Sequence, residues 1–234
     1  MTEKKQVKSK QRVADHGEVF TNEREINAML DLVSCETERL ESRFLEPACG
    51  DGNFLVEILR RKMKIVSNKS RNDFDWKRNS AVVFSSIYGV ELLADNANEC
   101  RKRLFGVFYE EYYKERYEEI DEKFLNTIKY LLSTNIICGD ALSLRTNEGT
   151  PLIFAEWGWI GPKVQRRDFE LSGLLNESKQ SYIDYAKRNS AAGQLTLFDD
   201  LPDEDFENAG LVKENVYRLM NYLELGDLYE KSRI

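Results

Sequence analysis

The sequence lacks most of the residues that build metal centres and triad hydrolases. Its single histidine, His16, leaves no His-rich metal cluster and makes a Ser-His-Asp triad improbable. The cysteines lie far apart without a CxxC pair, which argues against a disulfide scaffold or a thiolate zinc site. We therefore expect no metal, and a chemistry based on carboxylates, amides, aromatic rings and a bound cofactor. The four cysteines are Cys35, Cys49, Cys100 and Cys138.

Long hydrophobic runs are also missing. No apolar stretch approaches the roughly 18–20 residues of a membrane helix, and the basic N-terminus MTEKKQVKSKQR has no apolar core of a secretory signal. These features predict a cytoplasmic protein that does not contact a membrane. A formal net charge of −7 argues against a whole surface built for nucleic acid but leaves a local basic face open.

What the sequence does contain is an alternation of apolar strands and helical patterns. Short apolar runs over 43–46, 85–91, 135–140 and 151–155 predict four strands, and helices are predicted over 22–33, 53–63 and about 94–132. Alternation of this kind is typical of an α/β fold with a mostly parallel sheet. After residue 159 the pattern changes to helix and linker, with a last helix predicted over 212–229.

The predicted organisation has five parts. We expect a basic tail over 1–16, a ligand-binding α/β domain over 17–165 and a helical extension over 166–192. An acidic linker over 193–210, with six Asp/Glu between 199 and 207, then precedes a C-terminal helix over 211–234.

A glycine turn joins the first strand to its helix in the stretch FLEPACGDGNFL. Gly50 and Gly52 let a ligand approach the backbone, but the third glycine of a dinucleotide fingerprint is absent, and no GxxxxGK[ST] motif occurs. The turn alone is also compatible with a purely structural role. Glu46, Glu91 and Asp140 end the first three strands, where ligands of open α/β sheets bind, and each alone could equally cap a helix.

Together, LEPACGDGNFL, YGVEL and ICGDAL resemble motifs I, II and III of S-adenosylmethionine (SAM)-dependent methyltransferases. The similarity is greatest to bacterial adenine-N6 DNA methyltransferases, including modification subunits of restriction systems, and covers roughly residues 12–160. Here Glu46 replaces the usual Asp and Asp51 the usual Ser, and GEVFTN is similar to the family's GxxFTP segment. The resemblance implies a Rossmann-like class I methyltransferase sheet and SAM as cofactor. The cofactor residues it implies are Phe20, Thr21, Glu46, Pro47, Ala48, Gly50, Gly52, Glu91, Leu92, Asp140 and Ala141.

The catalytic motif of that family is altered. The fourth strand normally ends in [N/D/S]-P-P-[Y/F/W], whose oxygen acceptors polarise the adenine amine while the aromatic ring stacks on the flipped base. This chain has EWGW, so Glu156 is predicted to be the acceptor and Trp159 the stacking residue. A glutamate is one methylene longer than an aspartate, and a misplacement of about 1 Å can cost on the order of 100-fold in rate.

The segment after Trp159 is short for a complete methyltransferase sheet. Only 75 residues follow Trp159, and none of them resembles a target-recognition domain. Either the sheet is truncated after strand four with a helical C-terminal extension, or a second subunit or a homodimer completes it. Both alternatives remain open at this point.

Two further segments suggest macromolecular partners. Lys/Arg residues interleaved with aromatics between 60 and 78 suit phosphate contacts and base stacking, although charge runs are usually solvated surface. The peptide QLTLF resembles the motif by which bacterial DNA enzymes bind the sliding clamp, and its apolar residues could equally pack on the protein's own core. The nucleic-acid candidates are Arg60, Arg61, Lys62, Lys69, Arg71, Trp76, Lys77 and Arg78, and the clamp candidates are Gln194, Leu195, Leu197 and Phe198.

Three functional hypotheses follow from the sequence. The first is a SAM-dependent methyltransferase acting on adenine N6 of DNA by direct transfer. The second is a catalytically impaired SAM-binding regulatory or partner subunit of a DNA modification, restriction or replication-linked system. The third keeps the transfer but moves the substrate to RNA or a protein amide.

Overall fold

The computed structural model describes residues 9–16, 21–170 and 215–232. It divides the chain into two compact units, the first formed by 1–141 with 222–234 and the second by 142–221. Each unit is described below by itself. Phe20, the clamp candidates between Gln194 and Phe198, and the predicted acidic linker lie outside the described residues.

The first unit is an α/β layer structure with a parallel three-stranded sheet. In chain order its elements are α1 (Lys10–His16), α2 (Glu23–Asp31), α3 (Ser34–Thr37), β1 (Phe44–Glu46), α4 (Asn53–Lys69), α5 (Asp73–Ser85), β2 (Ile87–Glu91), α6 (Ala94–Phe108), a π-helical turn (Tyr109–Tyr113), α7 (Lys114–Arg116), α8 (Glu122–Asn135), β3 (Ile136–Cys138) and, after the second unit, α9 (Glu224–Lys231). The strand order is β1-β2-β3 with all pairings parallel. The mixed α/β class predicted from the sequence is therefore confirmed for this unit.

The central strand β2 is buried on both faces. All five of its residues, Ile87 to Glu91, are buried, as expected for a parallel strand that is covered by helices on either side. The helix α4 packs on it through an apolar face that includes Leu55, Leu59 and Val66, each 0 % exposed. The sheet and α4 thus hold the glycine turn between two rigid elements.

An aromatic cluster joins helices α5, α6 and α8. The ring of Trp76 on α5 stacks on Phe108 of α6 at 5.7 Å, and Phe108 lies edge-on to Phe84 at 5.1 Å and to Phe124 of α8 at 6.1 Å. Aromatic pairs in these geometries add about 0.5–1.5 kcal/mol each beyond their buried area. The cluster fixes α6, which carries one wall of the site described below.

The C-terminal helix α9 packs against α8. Lys123 pairs with Asp227 at 2.9 Å, the Asn126 amide donates to Glu230 at 2.9 Å, and a Cβ added at Gly226 would collide with the Lys123 carbonyl oxygen. The predicted helix over 212–229 is therefore too long. Among the described residues it spans Glu224–Lys231, and two short strands precede it.

The second unit is an antiparallel hairpin with two added short strands. Its elements are β4 (Ile153–Ile160), β5 (Lys163–Glu170), β6 (Asn215–Val216) and β7 (Met220–Asn221), and both β6 and β7 pair antiparallel with β5. Gly161, at φ 57°, lies in the turn between β4 and β5. The prediction that the fourth strand joins the parallel sheet is therefore wrong, because β4 pairs with β5 along its whole length.

Two more predicted features differ from the structure. The single helix predicted over 94–132 is divided into α6, the π-helical turn, α7 and α8, with Tyr117 in an extended conformation between the last two. The helix predicted over 53–63 extends to Lys69 as α4, and a further helix, α5, follows it from Asp73. In the described part of the chain, no helix combines the length and apolarity needed to span a membrane.

Candidate functional site

The glycine turn is the centre of the site. Gly50 and Gly52 adopt positive φ angles of 54° and 88°, a region in which residues with a Cβ are strained. The Cys49 amide donates to the Val90 carbonyl at 3.0 Å, and the Gly52 amide donates to the Cys49 carbonyl at 2.8 Å. The turn is therefore tied to β2 at one end and closed on itself at the start of α4.

Glu91, the last residue of β2, shapes this turn with its carboxylate. It accepts hydrogen bonds from the Gly50 amide at 2.9 Å, the Leu93 amide at 3.0 Å and the Asn96 side chain at 3.3 Å. A carboxylate offers about four lone-pair sites, so these three donors leave about one for a further donor. Glu91 is 8 % exposed and can meet a ligand only along that remaining direction.

Helix α6 lies so close to the turn that Gly52 has no room for a side chain. A Cβ added at Gly52 would lie 2.7 Å from the Sγ of Cys100, and one added at Gly89 would lie 2.8 Å from the Sγ of Cys49. The two thiols are buried, and the hydrogen bond between Cys49 and Cys100 together with burial raises the pKa of Cys49 well above its usual range. Both cysteines therefore serve as packing groups beneath the turn.

Arg103 is a site residue that the sequence reasoning missed. Its guanidinium donates to the Asp51 carbonyl and contacts the Asp51 carboxylate, both at 2.7 Å, and donates to the Asn53 side chain at 3.0 Å. The available signal was helical spacing, because Asn96, Cys100 and Arg103 lie at i, i+4 and i+7 on one face of α6.

Glu46, at the end of β1, lies in a different environment from Glu91. It lines a cavity of about 190 Å³ whose other walls are mainly apolar, and burial raises the pKa of its carboxyl group. Pockets that enclose a small-molecule ligand measure roughly 300–1,000 Å³, so this cavity does not enclose a whole nucleoside. The side chains that complete it are Met29, Leu30, Val33, Phe44, Leu45, Phe54, Leu55 and Ile58.

The remaining predicted cofactor residues lie at the carboxyl ends of the three parallel strands or beside the turn. The Thr21 carbonyl accepts from the Asn53 side chain at 3.4 Å, and the Gly139 amide donates to the Glu91 carbonyl at 2.9 Å, which ties the end of β3 to that of β2. Leu92 is 46 % exposed. Pro47 and Ala48 are exposed, whereas Asp140 and Ala141 are half-buried.

The arrangement fits the nucleoside part of a cofactor such as SAM in two respects. The positive φ angles of Gly50 and Gly52 are those of a turn that lets a ligand approach the backbone. The carboxyl ends of β1, β2 and β3 also carry Glu46, Glu91 and Asp140 at one edge of the sheet, as ligand sites of open α/β sheets do. In the described residues no group of three or more His, Cys, Asp or Glu is arranged to hold a metal ion.

Two of the predicted nucleic-acid residues are buried. Lys62 is 0 % exposed and donates to the carbonyls of Leu40 and Ser42 and to the Ser86 hydroxyl, and Trp76 is 1 % exposed within the aromatic cluster. Neither side chain is available to a phosphate or a base, so the structure removes both from the predicted surface.

Most of the other basic candidates are paired with carboxylates. Arg60 binds Glu111, Arg61 binds Asp31 and Glu57, Arg71 contacts Asp75, and Lys77 binds Asp121. Arg78 donates to Asn79, and Lys69 lies in the last turn of α4. Phosphate contacts would compete with these ion pairs, so the nucleic-acid surface stays a prediction.

The two predicted catalytic residues lie in β4 of the second unit. Glu156 is opposite Arg167 and is 5 % exposed, whereas Trp159 is opposite Val164 and is half-buried. Residues three apart in a strand point to opposite faces of the sheet. The structure therefore does not bring Glu156 and Trp159 together on one face, and their catalytic roles stay a prediction.

One face of the hairpin carries a cationic and aromatic cluster. Arg166 lies over the rings of Trp157 at 5.9 Å and Tyr217 at 4.8 Å, and its guanidinium pairs with Asp168 at 2.6 Å. The Tyr217 hydroxyl also donates to Asp168 at 3.1 Å. Asp168 thus holds Arg166 between two aromatic rings.

A comparison with protein families matches residues 20–153 to the family described as "MmeI, DNA-methyltransferase domain". The match covers more than half of the 234 residues. The chain belongs to this family. The matched range contains the glycine turn, Glu91 and Arg103, and it ends at the first residue of β4. Searches of curated proteins and of solved structures returned no match.

Proposed function

We propose that this protein is a SAM-dependent methyltransferase that acts on adenine N6 of DNA. The observation that carries the proposal is the carboxylate of Glu91, which holds the Gly50 amide at 2.9 Å where β1 and β2 end. Membership of a DNA-methyltransferase domain family supports methyl transfer to DNA. SAM, when bound, supplies an activated methyl group on a sulfonium centre.

In this proposal the turn and three carboxylates have distinct tasks. Gly50 and Gly52 keep the turn open to the cofactor because neither has a Cβ, and the remaining lone pair of Glu91 accepts one ribose hydroxyl. Asp140, at the end of β3, accepts from the adenine amino group of the cofactor. Glu156 would accept a hydrogen bond from the target amine and so increase the electron density on its nitrogen, the atom that would receive the methyl group that bound SAM supplies.

Calorimetry of SAM binding tests the cofactor assignment. We expect the wild type to bind and Glu91→Ala to bind on the order of 10- to 100-fold more weakly, because charge-assisted hydrogen bonds contribute about 1.5–3 kcal/mol. Glu99→Ala is the matched control, since Glu99 is an exposed glutamate of α6. Absence of binding by the wild type, or equal binding by all three proteins, would refute the assignment.

The transfer itself is tested with labelled SAM. Duplex DNA of mixed sequence, total RNA and a ribosomal protein fraction are compared in parallel, and the product on DNA is hydrolysed and analysed for N6-methyladenine. Label on RNA or protein, with none on DNA, would reassign the substrate. Label on cytosine would retain DNA as substrate and overturn the adenine assignment.

A second candidate function is a SAM-binding subunit that does not transfer the methyl group by itself. The placement of Glu156 and Trp159 on opposite faces of β4 favours it, because an acceptor and a stacking ring must meet the same base. It predicts SAM binding without labelled product, and product only after a second subunit is added. A lysate fraction that restores transfer to the purified protein would support this candidate.

A further inference from the structure

One face of helix α6 contacts the glycine turn and the residues beside it along two turns of the helix. Asn96 donates to Glu91, Cys100 fills the space beside Gly52, and Arg103 reaches the next two residues of the turn. Asn96 and Cys100 are at most 1 % exposed, and the side chain of Arg103 is 23 % exposed. Arg103 is therefore the part of this face that lies nearest to solvent.

The contacts of Arg103 are those of a clamp. One terminal nitrogen donates to the Asp51 carbonyl and contacts its carboxylate, both at 2.7 Å, while the other donates to Asn53 at 3.0 Å. A planar guanidinium can make these contacts at once, whereas a lysine ammonium offers only a point charge. Arg103 thus fixes the residue on either side of Gly52.

The charge of the Asp51 carboxylate makes its ion pair with Arg103 important for the conformation of the turn. The side chain of Asp51 is 9 % exposed, and a carboxylate in such a position is costly unless it is paired. Removal of Arg103 would leave that carboxylate buried without its cation. The turn would then be expected to rearrange and bring Asp51 to water.

The clamp also reaches beyond the turn. Asn53 accepts from Arg103 through its side-chain oxygen and donates through its side-chain nitrogen to the Thr21 carbonyl at 3.4 Å. Thr21 precedes α2, whose capping box begins at Asn22. Arg103 is therefore linked through one amide group to the segment that enters α2.

We propose that Arg103 is a positioning residue that holds the Asp51-Gly52-Asn53 turn in the conformation that receives the cofactor. The inference rests on the proposed SAM binding at this turn. Arg103 acts through Asp51 and Asn53 and needs no contact with the cofactor itself.

The test uses four variants of the full chain. Arg103→Met keeps the aliphatic stem and removes the charge and the donors, and Arg103→Lys keeps the charge but not the fork. Asp51→Asn combined with Arg103→Met removes both charges of the pair. Lys102→Met is the control, because it removes the same charge from an exposed neighbouring position of α6.

The first readout is the dissociation constant of SAM. We expect Arg103→Met to raise the dissociation constant on the order of 10- to 100-fold and Arg103→Lys to raise it several-fold. The free energies of hydrogen bonds to charged groups correspond to changes of this size. Lys102→Met should stay within about twofold of the wild type. The double variant should bind more tightly than Arg103→Met, because it no longer buries the charge with which Arg103 pairs.

Unchanged SAM affinity in a folded Arg103→Met protein would overturn the proposal, as would a double variant that binds no better than Arg103→Met. If Arg103→Met does not fold, Arg103→Lys decides, and wild-type affinity in that variant overturns the proposal.

The second readout is amide hydrogen exchange over 49–53 without ligand, which separates this inference from the cofactor assignment. Faster exchange in Arg103→Met but not in Lys102→Met supports the clamp, and equal exchange in both refutes it. A wild type that fails to bind SAM would refute the cofactor assignment alone.

Discussion

Replacement of Gly52 by alanine tests whether the turn requires glycine because of its backbone conformation, because α6 packs closely against it, or for both reasons. At φ +88° an L-residue pays roughly 1–2 kcal/mol for the left-handed region. The added Cβ would also lie 2.7 Å from the Sγ of Cys100, a contact that overpacks the interface and costs about 1–3 kcal/mol. We expect Gly52→Ala to lower the free energy of unfolding by about 2–5 kcal/mol.

Two other glycines separate these contributions. Gly149 has nearly the same φ, +83°, with nothing within 4 Å of an added Cβ, so Gly149→Ala should cost only the conformational part. Gly89 lacks the positive φ but has the Sγ of Cys49 at 2.8 Å from its added Cβ, so Gly89→Ala should cost only the steric part. Cys100→Ala should recover part of the loss in the Gly52→Ala background, because it removes the colliding atom.

Urea unfolding, followed by circular dichroism, measures these differences. The loss is taken from the transition of the unit that carries the replaced glycine, since Gly52 and Gly149 belong to different units. Equal losses for Gly52→Ala and Gly149→Ala, with no recovery by Cys100→Ala, would refute the argument that α6 restricts the turn. Full recovery by Cys100→Ala would instead show that the backbone conformation costs nothing.

Two further predictions concern the core of the first unit. Burial lowers the pKa of Lys62 to about 7, below the value of about 10.4 for a free lysine, so between these values the unfolded chain binds more protons than the folded one. The free energy of unfolding of the wild type should therefore rise relative to that of Lys62→Met by up to about 1.4 kcal/mol per pH unit above pH 7. Urea unfolding of both proteins between pH 7 and 9 measures this difference. The same pH dependence of the unfolding free energy in both proteins would contradict the prediction. Gly226→Ala should lower the free energy of unfolding by about 1–3 kcal/mol, because its Cβ meets the Lys123 carbonyl, whereas Gly106→Ala in α6, with open space around it, should raise it by about 0.5–1 kcal/mol. Thermal or urea unfolding of the two variants measures these changes. An equal change in the free energy of unfolding for both variants would refute the close approach of α9 and α8.

The strand–turn–helix unit could be predicted because its signals are local. The predicted strand over 43–46 is observed as Phe44–Glu46, and the helix predicted to begin at Asn53 does begin there and extends to Lys69. Two glycines between an apolar strand and an apolar helical stripe leave few alternatives for the chain. The parallel pairing of the first three strands follows from their alternation with helices.

The pairing of β4 could not be predicted in the same way. An apolar run such as PLIFA is compatible with a buried parallel strand and with one arm of a hairpin, because periodicity does not identify the partner strand. The deciding feature lies downstream, where Gly161-Pro162 forms a turn signal before the second arm, Lys163–Glu170. Strand pairing is a non-local property, so the apolar run alone does not identify it.

Lys62 shows how composition can mislead about a surface. Counted among the basic residues of 60–78, it suggested a phosphate contact. Its position, however, is three residues after Leu59 and four before Val66, which places it on the apolar face of α4. Helical spacing therefore contained the information that its side chain enters the core, where three oxygen acceptors receive its hydrogens.

Glu91 lies beside the glycine turn, at the end of the second strand, and it makes more contacts within the protein than the sequence implied. A carboxylate without other partners could accept both hydroxyls of a ribose. Glu91 already accepts from Gly50, Leu93 and Asn96, so its first task is to fix the turn and the start of α6. Any ligand hydroxyl that takes the last lone pair then binds to a group already coupled to the turn. Cofactor affinity and the conformation of the turn are consequently linked through one side chain, and Arg103 acts on the same turn from its other end.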